Sequence, residues 1–259
     1  MRNKLAVVLR AGSDSDFILK SFEHMGFEPD IVILEKAGAA RRKKLLREVY
    51  KSKNTIKFLF VDLPSLVSFD FIQRRLMSVR IERGQLKQNT TRYVKTVNDE
   101  EFLSIIKKVK PNYILNFGTS IYSPKTLSVL EPPIINWHTG ILPRYRNVHT
   151  DFWAYVNNDV DGLGVSVFKV DEGIDTGHVI WTSKSFVNKT EYLWTIKRRN
   201  LDIVANSMVD FGKNPSNLEI KPSINLNPDS LICQTPTSRD LIRYAAIELR
   251  KWRENCRKL

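Results

Sequence analysis

Three side chains suggest chemistry by type and spacing. Asn136 and His138 sit two apart in Ile134-Ile135-Asn136-Trp137-His138, an apolar run that ends in polar residues and reads as a strand. Residues two apart on a strand share a face, so an amide and an imidazole project together beyond the strand end. Leu142-Pro143 then turns the chain. Asp175 follows His138 by 37 residues, inside the polar loop Asp171-Glu172-Gly173-Ile174-Asp175-Thr176-Gly177 between two apolar runs. Flanking glycines let that loop approach another closely. An amide donor, an imidazole and a carboxylate form a coherent set for acyl transfer to an amine. The amide stabilises an oxyanion, the imidazole relays a proton and the carboxylate orients the imidazole. No serine or cysteine nucleophile is needed when the amine attacks directly. Taken singly, His138 reads as a hydrogen-bonded core histidine and Asp175 as a turn residue; the ordered combination is what points to chemistry.

The elements that must position this set follow from hydrophobic period and breakers. Lys4 to Leu9 reads as a buried strand that ends at Arg10-Ala11-Gly12-Ser13. A helix follows from Asp16, with Phe17, Ile18, Phe22 and Met25 at helical spacing and Gly26 as its stop. Ile31 to Leu34 is a second strand. This βαβ opening implies a doubly wound, mostly parallel α/β sheet. A basic helix near 40 to 51 and a strand over 56 to 61 come next, and the chain from 64 to 90 shows no clean period. Asn98 is expected to cap a helix that runs to Lys110. Further expectations are a strand over Tyr113 to Phe117, a short helix over 124 to 130, strands over 164 to 170 and 178 to 182, and a helix over 190 to 211. The catalytic unit is thus expected over residues 1–211. Residues 212–259 form a small extension: a Gly, Asn, Pro and Ser linker to about 230, then a helix capped by Ser238. Its stripe Leu241, Ile242, Ala245, Ala246, Leu249 and Trp252 is expected to dock.

Bulk composition sets the class. At 259 residues with 42% hydrophobic content the chain has enough apolar material for one large core. No apolar run reaches the roughly 18 to 20 residues that span a bilayer, and no signal peptide is evident. A cytoplasmic protein without membrane partners is expected. Cys233 and Cys256 have no His or Cys at ligand spacing, so neither a zinc site nor a disulfide framework is expected. The net charge of +13 is concentrated in two places. Residues 36 to 57 carry nine Lys or Arg against one Glu, and residues 234 to 259 carry seven against three. Without interleaved aromatics the first cluster reads as a solvated face rather than a nucleic-acid surface.

Asn-x-His followed by Leu-Pro-x-Tyr-Arg, and later Asp-x-Gly-Ile-Asp-Thr-Gly, resembles the 10-formyltetrahydrofolate-dependent formyltransferases. Members act on glycinamide ribonucleotide, on initiator methionyl-tRNA or on nucleotide-linked amino sugars. The resemblance covers about residues 90 to 182 and implies a Rossmann-like formyltransferase sheet. It makes Asn136, His138 and Asp175 catalytic, with N10-formyltetrahydrofolate as co-substrate and no metal. Asn116 to Tyr122 matches the loop beside the pterin, which implies that Phe117, Gly118, Thr119 and Ile121, with Asp171, Gly173 and Ile174, hold the folate. Gly140, Arg144, Tyr145 and Arg146 are implied on the acceptor side. Gly12-Ser13 resembles a phosphate-holding loop, although Asp14 and Asp16 within it also suit an ordinary capped turn. Gly140 stands where many members have serine, and Asn147 where many have the glycine after Tyr-Arg.

The acceptor is narrowed by resemblance alone. About 50 residues follow Phe211, fewer than the C-terminal domain of tRNA-modifying members and more than purine-pathway members carry. Gly140-Ile141-Leu142-Pro143 and Thr235-Pro236-Thr237 are most similar to amino-sugar members. The expected partner is a small dTDP- or GDP-linked amino-deoxysugar, with homodimerisation left open. Alternatives are another small amine such as glycinamide ribonucleotide, and a nucleic-acid-binding protein on a retired enzyme fold.

Overall fold

The computed structural model describes residues 3–36, 90–188, 190–214 and 230–257. The basic helix expected near 40 to 51, the strand over 56 to 61, the basic cluster and most of the 212 to 230 linker lie outside the described residues. Seven strands form the main sheet: β1 Leu5–Arg10, β2 Ile31–Glu35, β3 Thr91–Val94, β4 Tyr113–Phe117, β5 Ile134–His138, β7 Gly164–Lys169 and β8 His178–Lys184. Their order is β3-β2-β1-β4-β5-β7-β8. The first five run parallel, while β7 is antiparallel to both β5 and β8. This is the Rossmann-like, mostly parallel arrangement expected from the βαβ opening. The strand order reverses direction between β1 and β4, and in such sheets ligands bind outside the carboxyl ends of the strands near that point.

Both faces of the sheet are covered. Leu5, Val7, Leu9, Leu115, Ile135 and Trp137 pack beneath α1 (Ser13–His24) and the helix α5 (Leu193–Lys213). Ala6, Val8, Ile33, Ile114 and Ile134 pack on the other face with α2 (Glu100–Val109). Continuous apolar strands such as Leu5–Leu9 are what burial on both faces requires. Trp137 fixes β5 to α5: its indole Nε1 donates to Ser207 Oγ at 2.8 Å, and its ring meets Phe211 edge-on at 5.7 Å. The neighbours Asn136 and His138 therefore face the opposite way, as strand alternation demands.

Several expected details are corrected. Asp99, not Asn98, caps α2, accepting from Phe102 N. Asn98 instead ties the loop after β4, accepting from Ser123 N and Thr126 Oγ1 and donating to Ile121 O. Between α3 (Pro124–Val129) and β7 the chain forms a short strand β6 (Tyr145–Asn147) and a helix α4 (Thr150–Val156), neither of which the sequence suggested. β6 pairs in parallel with β9 (Leu231–Cys233), 86 residues away at each position. The terminal helix α6 (Ser238–Cys256) is capped by Thr237 and Asp240 rather than by Ser238. It docks through Tyr244, Leu241 and Ile247 onto a third core with Tyr145, Phe152 and Leu193. The expected stripe does not dock as a unit, because Ile242, Leu249 and Trp252 are exposed at 70%, 48% and 56%.

Candidate active site

β5 ends at the site. His138 is buried, and its two ring nitrogens are distinguished by their surroundings. Nε2 lies 3.0 Å from the carbonyl oxygen of Tyr145. A carbonyl only accepts, so Nε2 carries a hydrogen. Nδ1 lies 3.5 Å from Asp175 Oδ2, longer than a well-formed hydrogen bond. Nδ1 is thus the nitrogen that faces the Asp175 carboxylate. The same oxygen of Asp175 is steadied by the backbone N–H of Asn147, which donates to Oδ2 at 2.7 Å. Asp175 sits at φ 50°, in the left-handed region that non-glycine residues seldom adopt.

The Asp175 loop closes on itself. Asp171 Oδ1 accepts from Gly173 N and from Thr176 Oγ1, at 3.1 and 2.6 Å. A Cβ on Gly173 would lie 1.9 Å from Thr176 Oγ1, so glycine is required for that closure. Arg146 Nε donates to Ile174 O and its Nη1 reaches Ser230 Oγ, joining the loop to the chain just before β9. Asn147 occupies φ 76°, which explains an asparagine where glycine is usual, since both tolerate that backbone. Its side-chain amide donates to Cys233 O at 2.8 Å. The three residues of β6 therefore touch His138, the Asp175 loop and Asp175 in turn.

Asn136 lies beside Asn116 in the parallel β4–β5 ladder. Asn116 Nδ2 donates to Asn136 Oδ1 at 2.7 Å. Asn116 Oδ1 in turn accepts from Tyr122 Oη and Thr119 Oγ1, each at 2.9 Å. Among the described residues no protein group engages Asn136 Nδ2. Burial, reinforced by the charge of Glu35, holds the Tyr122 phenol above its ordinary range, so the hydroxyl keeps its proton. Glu35 is itself buried and pins the loop after β4, accepting from Ser120 N and Val97 N. Sequence reading placed Asn116 and Tyr122 at the two ends of the loop beside the pterin without giving either a role, and passed over Glu35; for Asn116 and Glu35, a polar residue inside an otherwise apolar buried strand was the available signal.

The other expected residues divide. Phe117 is buried in the main core, leaving the Gly118 and Thr119 backbone at the strand end, with Gly118 at φ 69°. Ile121 and Ile174 are apolar but 59% and 36% exposed, one on each loop expected to hold folate. Gly140 is packed: a Cβ there would lie 2.9 Å from the Thr150 side chain and 3.1 Å from His138 Nε2. Thr150 Oγ1 occupies that space while donating to Thr139 O. Tyr145 contributes its carbonyl, since its ring is buried against Gly162. Arg144 is paired with Asp159 at 2.5 Å, and Arg146 is committed as described, so neither is directed at an acceptor here. Gly12 and Ser13 begin α1, where Ser15 Oγ accepts from Gly12 N and closes the turn. Gly12 and Ser13 thus form a closed turn at the start of α1. Among the described residues no cluster of three His, Cys, Asp or Glu could hold a metal ion, and no helix is long and apolar enough to cross a membrane.

The family model for formyl transferase matches residues 69–211, more than half of the chain, and the chain belongs to that family. The methionyl-tRNA formyltransferase of Finegoldia magna is 34% identical over 92 residues, covering 35% of this chain and 29% of that protein. The chain spans well under half the length of the curated relatives it matches. A sugar N-formyltransferase from a Shewanella species has the same fold with a TM-score of 0.56 at 12% identity, over 95% of this chain and 87% of that one. The formyltransferase PseJ of Anoxybacillus kamchatkensis, solved with UDP-4,6-dideoxy-4-formamido-L-AltNAc and tetrahydrofolate, gives 0.51 at 14% identity, over 93% and 90%.

Proposed function

We propose that this protein is an N-formyltransferase that moves the formyl group of N10-formyltetrahydrofolate to a primary amine, with Asn136, His138 and Asp175 as its catalytic set. The carrying observation is the cluster at the end of β5: His138 Nδ1 faces Asp175 at 3.5 Å while Nε2 is tied to Tyr145 O. The co-substrate supplies an activated formyl carbon. Attack by the neutral amine forms the new C–N bond, and the bond to the folate nitrogen breaks. Asn136 Nδ2 donates to the formyl oxygen as negative charge develops there. His138 moves the proton at Nδ1 from the attacking amine towards the departing folate nitrogen, and Asp175 stabilises the imidazolium formed on the way. The chemistry requires no metal. The Gly118–Thr119 backbone, Ile121, Asp171, Gly173 and Ile174 are the groups we assign to the pterin ring, with two exposed isoleucines suited to a flat, partly apolar ring.

The acceptor we assign is the amino group of a dTDP- or GDP-linked deoxysugar, met in the cytoplasm. Support comes from Gly140-Ile141-Leu142-Pro143, from Thr235-Pro236-Thr237 and from a fold shared with sugar N-formyltransferases along nearly the whole chain. Gly12, Ser13 and Gly140 are the acceptor-side positions. A second reading, an aminoacyl-tRNA acceptor, is favoured by the identity to methionyl-tRNA formyltransferases. The test is formyl transfer from N10-formyltetrahydrofolate to a panel of aminosugar nucleotides, glycinamide ribonucleotide and methionyl-tRNA. Formylation of an aminosugar nucleotide is expected; exclusive formylation of methionyl-tRNA would move the assignment to the second reading. Salt-dependent RNA binding with no transfer to any amine would remove the enzyme reading altogether.

A further inference from the structure

We propose that Asn116 is a positioning residue that fixes which end of the Asn136 amide faces the reacting centre. The inference rests on the reading of Asn136 as the donor to the formyl oxygen. An amide presents an acceptor at one end and two donors at the other, and catalysis needs only the donor end. The hydrogen-bond chain around Asn116 makes that choice. Tyr122 Oη and Thr119 Oγ1 both converge on Asn116 Oδ1 at 2.9 Å. Tyr122 retains its proton, because burial and the neighbouring Glu35 carboxylate disfavour the phenolate. Donation from Tyr122 Oη, joined by Thr119 Oγ1, sets the oxygen of Asn116 towards Tyr122, and its Nδ2 faces Asn136. The 2.7 Å contact then fixes Asn136 Oδ1 inward, leaving Asn136 Nδ2 at the strand end. Adjacent positions in the β4–β5 ladder keep the two side chains on one face of the sheet. The loop carrying Thr119 and Tyr122 is held in turn by Glu35, through Ser120 N at 2.7 Å.

The measurement is the affinity of the full chain for N10-formyltetrahydrofolate against unformylated tetrahydrofolate, followed by calorimetry without acceptor and repeated from pH 6 to pH 9. Asn116→Asp keeps the shape of the side chain but replaces its N–H donor with an acceptor once ionised. Asn136 then turns its N–H inward. The preference for the formylated ligand should fall about tenfold at the alkaline end. Towards pH 6 the preference should recover, because a protonated carboxyl can donate as Asn116 does. Affinity for tetrahydrofolate should not change. Once an acceptor is known, kcat should fall about a hundredfold, close to the value for Asn136→Ala, and the double variant should lose no more than Asn136→Ala alone. A merely structural role predicts the reverse order, with the shortened Asn116→Ala worse than Asn116→Asp and no pH dependence. If Asn116→Asp does not fold, Tyr122→Phe removes a donor to Asn116 Oδ1 and should weaken the preference for the formylated ligand severalfold. Unchanged preference in whichever variant folds overturns the relay. Unchanged preference in Asn136→Ala instead overturns the reading of Asn136 itself, so the two failures are told apart.

Discussion

Gly140 and Thr150 act as one feature. The position where related enzymes carry serine is glycine here, and the Thr150 side chain fills the space a Cβ would take, 3.1 Å from the ring nitrogen of His138. Introducing Gly140→Ser alone should overpack this corner and displace His138, lowering kcat about tenfold to a hundredfold. Thr150→Ala alone should cost about 1 kcal/mol through the lost bond to Thr139 O. The two together should recover most of the turnover lost by Gly140→Ser, a non-additivity that steady-state kinetics on the four proteins would reveal. Asn136, His138 and Asp175 were legible in the sequence because their types and order are unusual together. The contacts of Asn116 and Thr150 were not, since each depends on a neighbour that only the strand ladder or a loop contact supplies.

At the scale of elements, the β6–β9 pair explains how the C-terminal segment bears on the site. β6 offers the Tyr145 carbonyl to His138, and the Asn147 N–H to Asp175, while Asn147 Nδ2 bonds Cys233 O in β9. Asn147→Gly keeps the positive φ and the backbone donor, so activity should stay within severalfold of wild type while amide exchange in residues 231–233 accelerates. Asn147→Val forces a β-branched residue to φ 76° and should impair both. The long parallel strands were readable because their apolar runs are continuous; three-residue β6 has no period to read, and its partner lies 86 residues on. The terminal helix was legible as a helix, but its docking face was not. Tyr155 Oη donates to Glu248 at 2.5 Å, and Lys251 lies 4.2 Å over the Tyr155 ring while donating to Glu191 O. Burial lowers the Lys251 pKa, marking the same inward side. Polar-tipped side chains thus dock, whereas Ile242 faces out. Tyr244→Ala should cost about 3 to 5 kcal/mol and Ile242→Ser less than about 0.5 kcal/mol, read from urea unfolding.

Across the whole molecule, one sheet holds the candidate site at its carboxyl edge and a third core fastens the C-terminal segment beside it. The two thiols report on that arrangement. Cys233 is buried, and burial pushes its thiol up to about 12, so no reactive thiolate forms in the folded chain at mildly alkaline pH. Cys256 is exposed. Titration with a thiol reagent at pH 8 should count one reactive cysteine in the native protein and two in denaturant; two fast thiols in the native protein would mean that β9 does not pair with β6. The central claim is formyl transfer through the β5 constellation, and its most direct measurement is tetrahydrofolate release by wild type and His138→Asn with the acceptor the panel identifies. Wild type should turn over and His138→Asn should fall by at least about a hundredfold while remaining folded by circular dichroism. A His138→Asn protein that transfers formyl at nearly the wild-type rate would contradict the assignment.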